Sequence, residues 1–249
     1  MDNLSIAAIS GLNSRMLSLD LLANNLANSA TSGYKIDREF YGLYSSDDSE
    51  NSVDGGTGTT LPTIEKQWTD FTAGVLETTG NPLDLALSGQ GFFVVTGPAG
   101  PLYTRNGNFK VLPSGEIGTE DGMPLQAVGG RTIRVSSGKA ITVSKDGTVQ
   151  QDGQNIGQVA VVNFKTTDTL RKTTSTAFQD TDPVKNPPVP AANVEVQEGR
   201  IEGSNVPVSE AAMRLVGVMR QFEMLQKAIG VSSDMDTKAI QEVARVTSS

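Results

Sequence analysis

Residues 2–29 contain no proline, and neither do residues 208–246, whereas residues 34–204 hold nearly all of the glycine and proline. Proline breaks helix interiors, and glycine with proline punctuates short strands. The layout is therefore helix at both ends and sheet between. In the first zone Ile9, Leu12, Met16, Leu19, Ala23 and Leu26 are spaced 3, 4, 3, 4, 3. That is an a/d seam, which Leu17, Leu21 and Leu22 widen. Asp2 or Asn3 can cap its start, and Gly33 after Thr31-Ser32 is a stop signal. In the last zone Val208, Ala211, Leu215, Val218, Phe222, Leu225 and Ile229 repeat the spacing. Gly230-Val231-Ser232-Ser233 interrupts it, and Ala239, Val243 and Val246 resume slightly out of phase, which predicts a stutter or bend. Either both helices cover the sheet of one globule, or they pair with each other and with neighbouring chains.

The central zone carries strand and turn signals at close spacing. Phe92–Thr96, Leu102–Arg105, Phe109–Val111, Thr132–Val135, Ile141–Val143, Thr148–Gln150 and Val159–Phe164 read as strands. Asn106-Gly107 predicts a type I′ hairpin, and Asp121-Gly122 and Asp146-Gly147 further turns. Short strands at this spacing argue an antiparallel sheet folded on itself. Residues 180–193 read as a proline-rich surface loop, and residues 45–60 as an acidic, glycine-rich one. The expected class is α+β, with the terminal helices paired as a coiled-coil-like domain and a mostly antiparallel β centre.

Two zeros narrow the chemistry. The 249 residues include no cysteine and no histidine. Disulfides, thiolate metal sites, imidazole bases and Ser-His-Asp triads are excluded. The net charge of −8 disfavours nucleic acid and anionic membranes as partners. No apolar run reaches transmembrane length, and the N-terminus lacks the basic and apolar regions of a Sec signal peptide.

The remaining candidates are weak. Asp48, Glu50, Ser52, Asp54 and Gly55 do not place glycine where a calcium-binding EF-hand loop needs it. Ser88-Gly89-Gln90-Gly91-Phe92 contains a GxG but leads into a strand rather than a helix, so it reads as a tight turn and not a nucleotide site. Glu77 and Asp84 form a conceivable carboxylate pair, but Asn81-Pro82-Leu83-Asp84 is a turn signature, and Asp84 is expected to bind backbone N–H groups. Asn24, Asn25 and Asn28 either fray into solvent or satisfy polar groups at a helix–helix contact. Arg220, Glu223 and Lys227 flank the C-terminal seam as a solvated face or as inter-helix pairs. No catalytic residue, metal or cofactor is expected.

Several motifs together resemble those of bacterial flagellar rod and hook proteins. Ala23-Asn24-Asn25-Leu26-Ala27-Asn28 with Thr31-Ser32-Gly33-Tyr34-Lys35 is similar to their N-terminal signature. Asn81-Pro82-Leu83-Asp84-Leu85-Ala86-Leu87 and Gly89-Gln90-Gly91-Phe92-Phe93 resemble the entry to their middle domain. Tyr103-Thr104-Arg105-Asn106-Gly107-Asn108-Phe109 with Gly115 matches the next stretch. Glu202-Gly203-Ser204-Asn205-Val206 resembles the segment that opens the C-terminal helix, which Arg220-Gln221-Phe222-Glu223 also fits.

The resemblance implies a terminal helical domain from residues 1–33 with 205–249, a connecting segment over 34–76 and a β domain over 77–204. It implies a structural subunit that assembles axially with copies of itself and other rod proteins, and carries torque from motor to hook. It implies export by the flagellar type III apparatus without a Sec signal, to the periplasmic rod of the basal body, with no membrane insertion. Length and Phe222-Glu223-Met224 favour the proximal-rod member over the distal one. The rivals are a soluble β-sheet binding module and an enzyme with a carboxylate-only site.

Overall fold

The computed structural model describes residues 3–45, 60–136 and 138–246. In chain order the elements are α1 (Asn3–Ala27), β1 (Asp37–Ser45), β2 (Thr60–Thr69), β3 (Leu76–Thr78), β4 (Leu85–Ser88), β5 (Phe92–Gly97) and β6 (Gly100–Thr104). Then come β7 (Phe109–Val111), β8 (Ile117–Thr119), β9 (Ile141–Val143), β10 (Thr148–Gln151), β11 (Gln154–Gln158) and β12 (Val161–Asn163). The chain continues with β13 (Leu170–Lys172), β14 (Ala177–Asp180), β15 (Val189–Pro190), β16 (Glu195–Glu198), β17 (Arg200–Glu202) and α2 (Val208–Val246). This is an α+β chain. Its described residues cluster as two units, one from 1–27, 37–68 and 207–249, the other from 28–36 and 69–206. Asp48, Glu50, Ser52, Asp54 and Gly55, weighed above for calcium, lie outside the described residues.

The larger unit is built on a six-stranded sheet in the order β13-β14-β6-β5-β12-β15. Its assigned pairings are antiparallel. Four consecutive residues of β5, Phe92 to Val95, are buried, so both faces of the sheet are covered. Alternation sends Phe93 and Val95 into one core with Leu85, Phe109, Ile117, Leu125, Ile133 and Val149. Phe92 and Val94 enter a second core with Tyr103, Phe164, Leu170 and Phe178. That second core is largely aromatic, with Phe71 edge-on to Phe92 and Phe178 at centroid distances of 5.4 and 4.9 Å.

The expected Asn106-Gly107 hairpin does not form. β6 pairs with β5 and β14, while β7 pairs with β8. Gly107 meets a different demand: a Cβ there would overlap the Leu85 carbonyl oxygen. The Gly107 carbonyl accepts the Leu85 N–H at 2.9 Å. The glycine thus permits backbone-on-backbone contact rather than a turn. Thr132–Val135, expected as a strand, contributes only single bridges, Gln126 to Thr132 and Glu116 to Arg134.

In the smaller unit α1 and α2 pack together, and β1 pairs with β2. α2 is one continuous helix of 39 residues, uninterrupted at Gly230. A single glycine costs about 1 kcal/mol in a helix, too little to end one this long. α1 ends at Ala27, and Gly33 takes its positive φ of 70° six residues later, after a series of turns.

Candidate functional site

Among the described side chains of α1, the buried positions are Gly11, Ser14, Ser18, Leu22 and Asn25. Their spacing of 3, 4, 4, 3 is helical, yet the stripe is mostly small or polar. A Cβ on Gly11 would stand 3.7 Å from Leu225 Cδ1, so a small residue lets α2 approach closely. The Ser18 hydroxyl is 2.9 Å from both carboxylate oxygens of Glu39 in β1. Asn25 donates to the Asp37 carbonyl at 2.8 Å and accepts its N–H at 3.0 Å. This amide therefore satisfies the backbone at the start of a strand. Asn24 donates to the Asp20 carbonyl, and Asn28 accepts from the Thr31 hydroxyl.

The apolar seam of α1 lies on another side. Ile9, Met16 and Ala23 are exposed, Met16 by 52%, while Leu12, Leu19 and Leu26 are half-buried. In α2 Ala211 is buried, and Leu215, Val218, Phe222, Leu225 and Ile229 are half-buried. On the opposite face Met213, Met224, Val231 and Met235 are exposed, Met224 by 62%. Arg220, Glu223 and Lys227 are also exposed. Both helices thus present apolar side chains that their own unit leaves uncovered.

The larger unit holds a buried charge cluster that pairs motifs far apart in sequence. The Lys35 ammonium contacts Glu202 Oε1, and Arg105 Nη1 contacts Glu202 Oε2 at 3.1 Å; all three side chains are nearly inaccessible. Lys35 also donates to the Thr72 carbonyl at 2.7 Å, and Arg105 Nη2 to the Gly89 carbonyl at 2.7 Å. The Gly74 N–H reaches Glu202 Oε1 at 2.9 Å. Lys172 donates to the Lys35 carbonyl and lies 4.1 Å from the centroid of the Tyr34 ring. Burial pulls the Lys35 ammonium below its ordinary value, and the attraction of Glu202 opposes that pull. Arg105 is lowered by burial in the same way, again against Glu202.

Beside this cluster Asn205 ties three segments together. Its Oδ1 accepts the Ile36 N–H at 2.8 Å, and its Nδ2 donates to the carbonyls of Asp70 at 2.8 Å and Thr72 at 3.1 Å. The Gly33 N–H donates to the Glu202 carbonyl at 2.7 Å, Asp70 N–H to Ile36, and Gly203 N–H to Val75. Ser204 Oγ accepts the Val206 N–H. Gly91 is buried at the entry to β5. Asn81 donates to Asp84 Oδ1 at 3.1 Å, and the Asp84 carbonyl accepts the N–H groups of Gly199 and Arg200. The backbone oxygen of Asp84 therefore binds two N–H groups, while its carboxylate takes the Asn81 amide. Glu77 is exposed in β3.

Lys35 and Glu202 lie inside sequence motifs that give neither residue a role of its own. A lysine and a glutamate within short runs of glycine, serine and asparagine look like surface residues. Their separation of 167 positions hides the pairing. Among the described residues no helix is long and apolar enough to cross a membrane, and none form a group of three or more potential metal ligands.

Three family profiles match. Residues 7–35 match the flagella basal body rod protein family, residues 86–151 the D1 domain of flagellar hook protein FlgE/F/G, and residues 197–242 the C-terminal region of flagellar basal body rod FlgEFG proteins. The chain is 28% identical over 248 residues to the flagellar basal-body rod protein FlgF of Caulobacter vibrioides, covering 99% of this chain and 100% of that protein. It is 32% identical over 251 residues to FlgG of the same organism, covering 92% and 94%. It is 29% identical over 231 residues to FlgF of Rhizobium meliloti, covering 90% of each.

Proposed function

The chain belongs to the flagellar basal-body rod protein family, and from that premise we propose that it is the FlgF member, a subunit of the proximal rod. It is a structural protein of the flagellar basal body. The observation that carries the FlgF reading is alignment economy. The match to Caulobacter FlgF spans 248 positions and uses 99% of the 249 residues here, about 247, so about one position is a gap in this chain. The match to FlgG spans 251 positions and uses 92%, about 229, so about 22 positions are filled only in the relative. The higher identity to FlgG, 32% against 28%, points the other way. FlgF of Rhizobium meliloti repeats the economy, since 231 positions use 90% of the chain, about 224 residues.

Assembly runs through the terminal helices. The half-buried face of α2, with Leu215, Val218, Phe222, Leu225 and Ile229, holds the two helices of one chain together in coiled-coil fashion. Ile9, Leu12, Met16, Leu19, Ala23 and Leu26 of α1 then face neighbouring subunits, together with the outward methionines of α2. Burying each large side chain contributes about 1.5–3 kcal/mol. The neighbours are other copies and other rod proteins. The chain reaches the periplasmic rod through the flagellar type III apparatus.

The motif residues serve the subunit rather than a ligand. Gly33, Arg105, Gly107, Ser204 and Asn205 hold the β-rich unit and the segments that lead to the helices, and Asn81, Asp84 and Gly91 shape the entry to its sheet. The test is cryo-electron microscopy of basal bodies carrying a small density tag at Val184, which is 89% exposed in the proline-rich loop. Tags confined to a short section of rod are expected. Tags along a long distal stretch would make the chain FlgG. Absence of the tag from rods of swimming cells would return the soluble-module reading.

A further inference from the structure

The chain passes between its two units at four places: after residues 27, 36, 68 and 206. On the side of the larger unit these crossings lead into three segments, residues 28–36, 69–75 and 200–206. Glu202 and Asn205 bind the other two segments from the third. Glu202 takes the Lys35 ammonium and the Gly74 N–H through its carboxylate, and the Gly33 N–H through its carbonyl. Asn205 holds Ile36, Asp70 and Thr72. Arg105, fixed by the Gly89 carbonyl, anchors Glu202 to the sheet. β17 then pairs with β3 directly below, Arg200 to Thr78, Ile201 to Glu77 and Glu202 to Leu76.

We propose that this clasp is the joint through which load on the terminal helices passes into the β-rich unit. Drawing out any one of the three segments breaks its ties to the other two, because each is cross-tied to both. A pull on α2 enters at Pro207, meets Asn205 and Glu202 within five residues, and is spread onto residues 33–36 and 70–75. The contacts of Glu202 with Lys35 and Arg105 sit out of water, where a hydrogen bond is stronger than at the surface. The purpose of the joint rests on the rod reading; its mechanics do not, and the experiment separates the two.

The chain has no cysteine, so two introduced cysteines are unique handles for single-molecule force measurement on the full chain. One pair, Ser209→Cys with Val184→Cys, loads the clasp. A second pair, Glu120→Cys with Val184→Cys, spans residues 120–184 and bypasses it. In the first pair the first event is release of residues 200–206, a step of about 25 Å. Asn205→Ala is expected to shorten the lifetime of that state under constant load on the order of tenfold. The lifetime of the second pair should stay within about twofold. Glu202→Gln repeats the test from the charged side, and Asn205→Ala, at a half-exposed position, keeps the chain folded should Glu202→Gln not. An unchanged lifetime for the first pair, or an equal loss in both, overturns the proposal. A clasp that carries load in a chain whose tag is absent from rods would leave the joint standing and remove the rod reading alone.

Discussion

Glu202 carries one negative charge against the positive charges of Lys35 and Arg105, all three out of water. Removing its charge leaves two buried cations facing a neutral amide. Glu202→Gln should cost about 3–5 kcal/mol in urea unfolding of the full chain followed by circular dichroism. Adding Lys35→Met should recover at least about 1 kcal/mol, because the stranded ammonium is then gone. Alkaline titration gives a second test. Burial raises the Tyr103 phenol above its usual 10.0, and Asp180 adds to the effect. The folded chain then keeps a proton that the unfolded chain has lost, so stability falls as pH rises above the usual 10.0. Lys35 acts with the opposite sign. Its lowered value means that the unfolded chain binds more protons just below 10.5, so its contribution rises with pH. Tyr103→Phe should flatten the alkaline loss and Lys35→Met should steepen it, both read from unfolding midpoints across that range. Neither effect was legible in the sequence, because a charge in a turn motif gives no sign of the partner that buries it.

At the scale of elements, periodicity located both helices, and strand and turn signals located β5, β6, β7, β9, β10 and β12, six of the seventeen described strands. What neither could supply was pairing. Asn106-Gly107 has the composition of a hairpin turn, yet the strands on either side of it pair elsewhere. The contact that demands Gly107 comes from Leu85, 22 positions earlier, and leaves no local trace. Gly107→Ala should therefore cost about 2–4 kcal/mol, since the overlap is with backbone and cannot relax by a rotamer change. Gly122→Ala is the contrast. Gly122 has a positive φ of 82° with open space around it, so the cost is only that of the backbone, about 1–2 kcal/mol. Thermal melts of the two variants check the difference. α1 illustrates the same limit in a helix. Its apolar spacing was plain, but the side it turns inward is the one with Gly11, Ser14 and Ser18. Small residues that admit a neighbour carry no hydrophobic signal.

For the whole molecule, the two faces of the helical unit make separable demands. Met16 and Met224 are more than half exposed, so Met16→Glu and Met224→Glu should leave the unfolding free energy of the single chain within about 0.5 kcal/mol. Each should nevertheless block incorporation into basal bodies, scored by immunoblot of purified rods. Phe222→Asp acts on the other face. It should loosen the helix pair and also prevent incorporation, while the β-rich unit keeps its cooperative melt. The unequal lengths of α1 and α2 have a further outcome. α1 has 25 residues and α2 has 39, which correspond to about 38 Å and 58 Å. Gly11 beside Leu225 lies 16 residues from the end of α1, and Leu225 lies 17 from the start of α2, so the roots of an antiparallel pair are level. Beyond the described start of α1, roughly 20 Å of α2 then stands as an overhang. In a stack of such subunits a longer helix of that kind would act as a tab and give the stack a polarity, each piece covering its neighbour and the growing tip still bare.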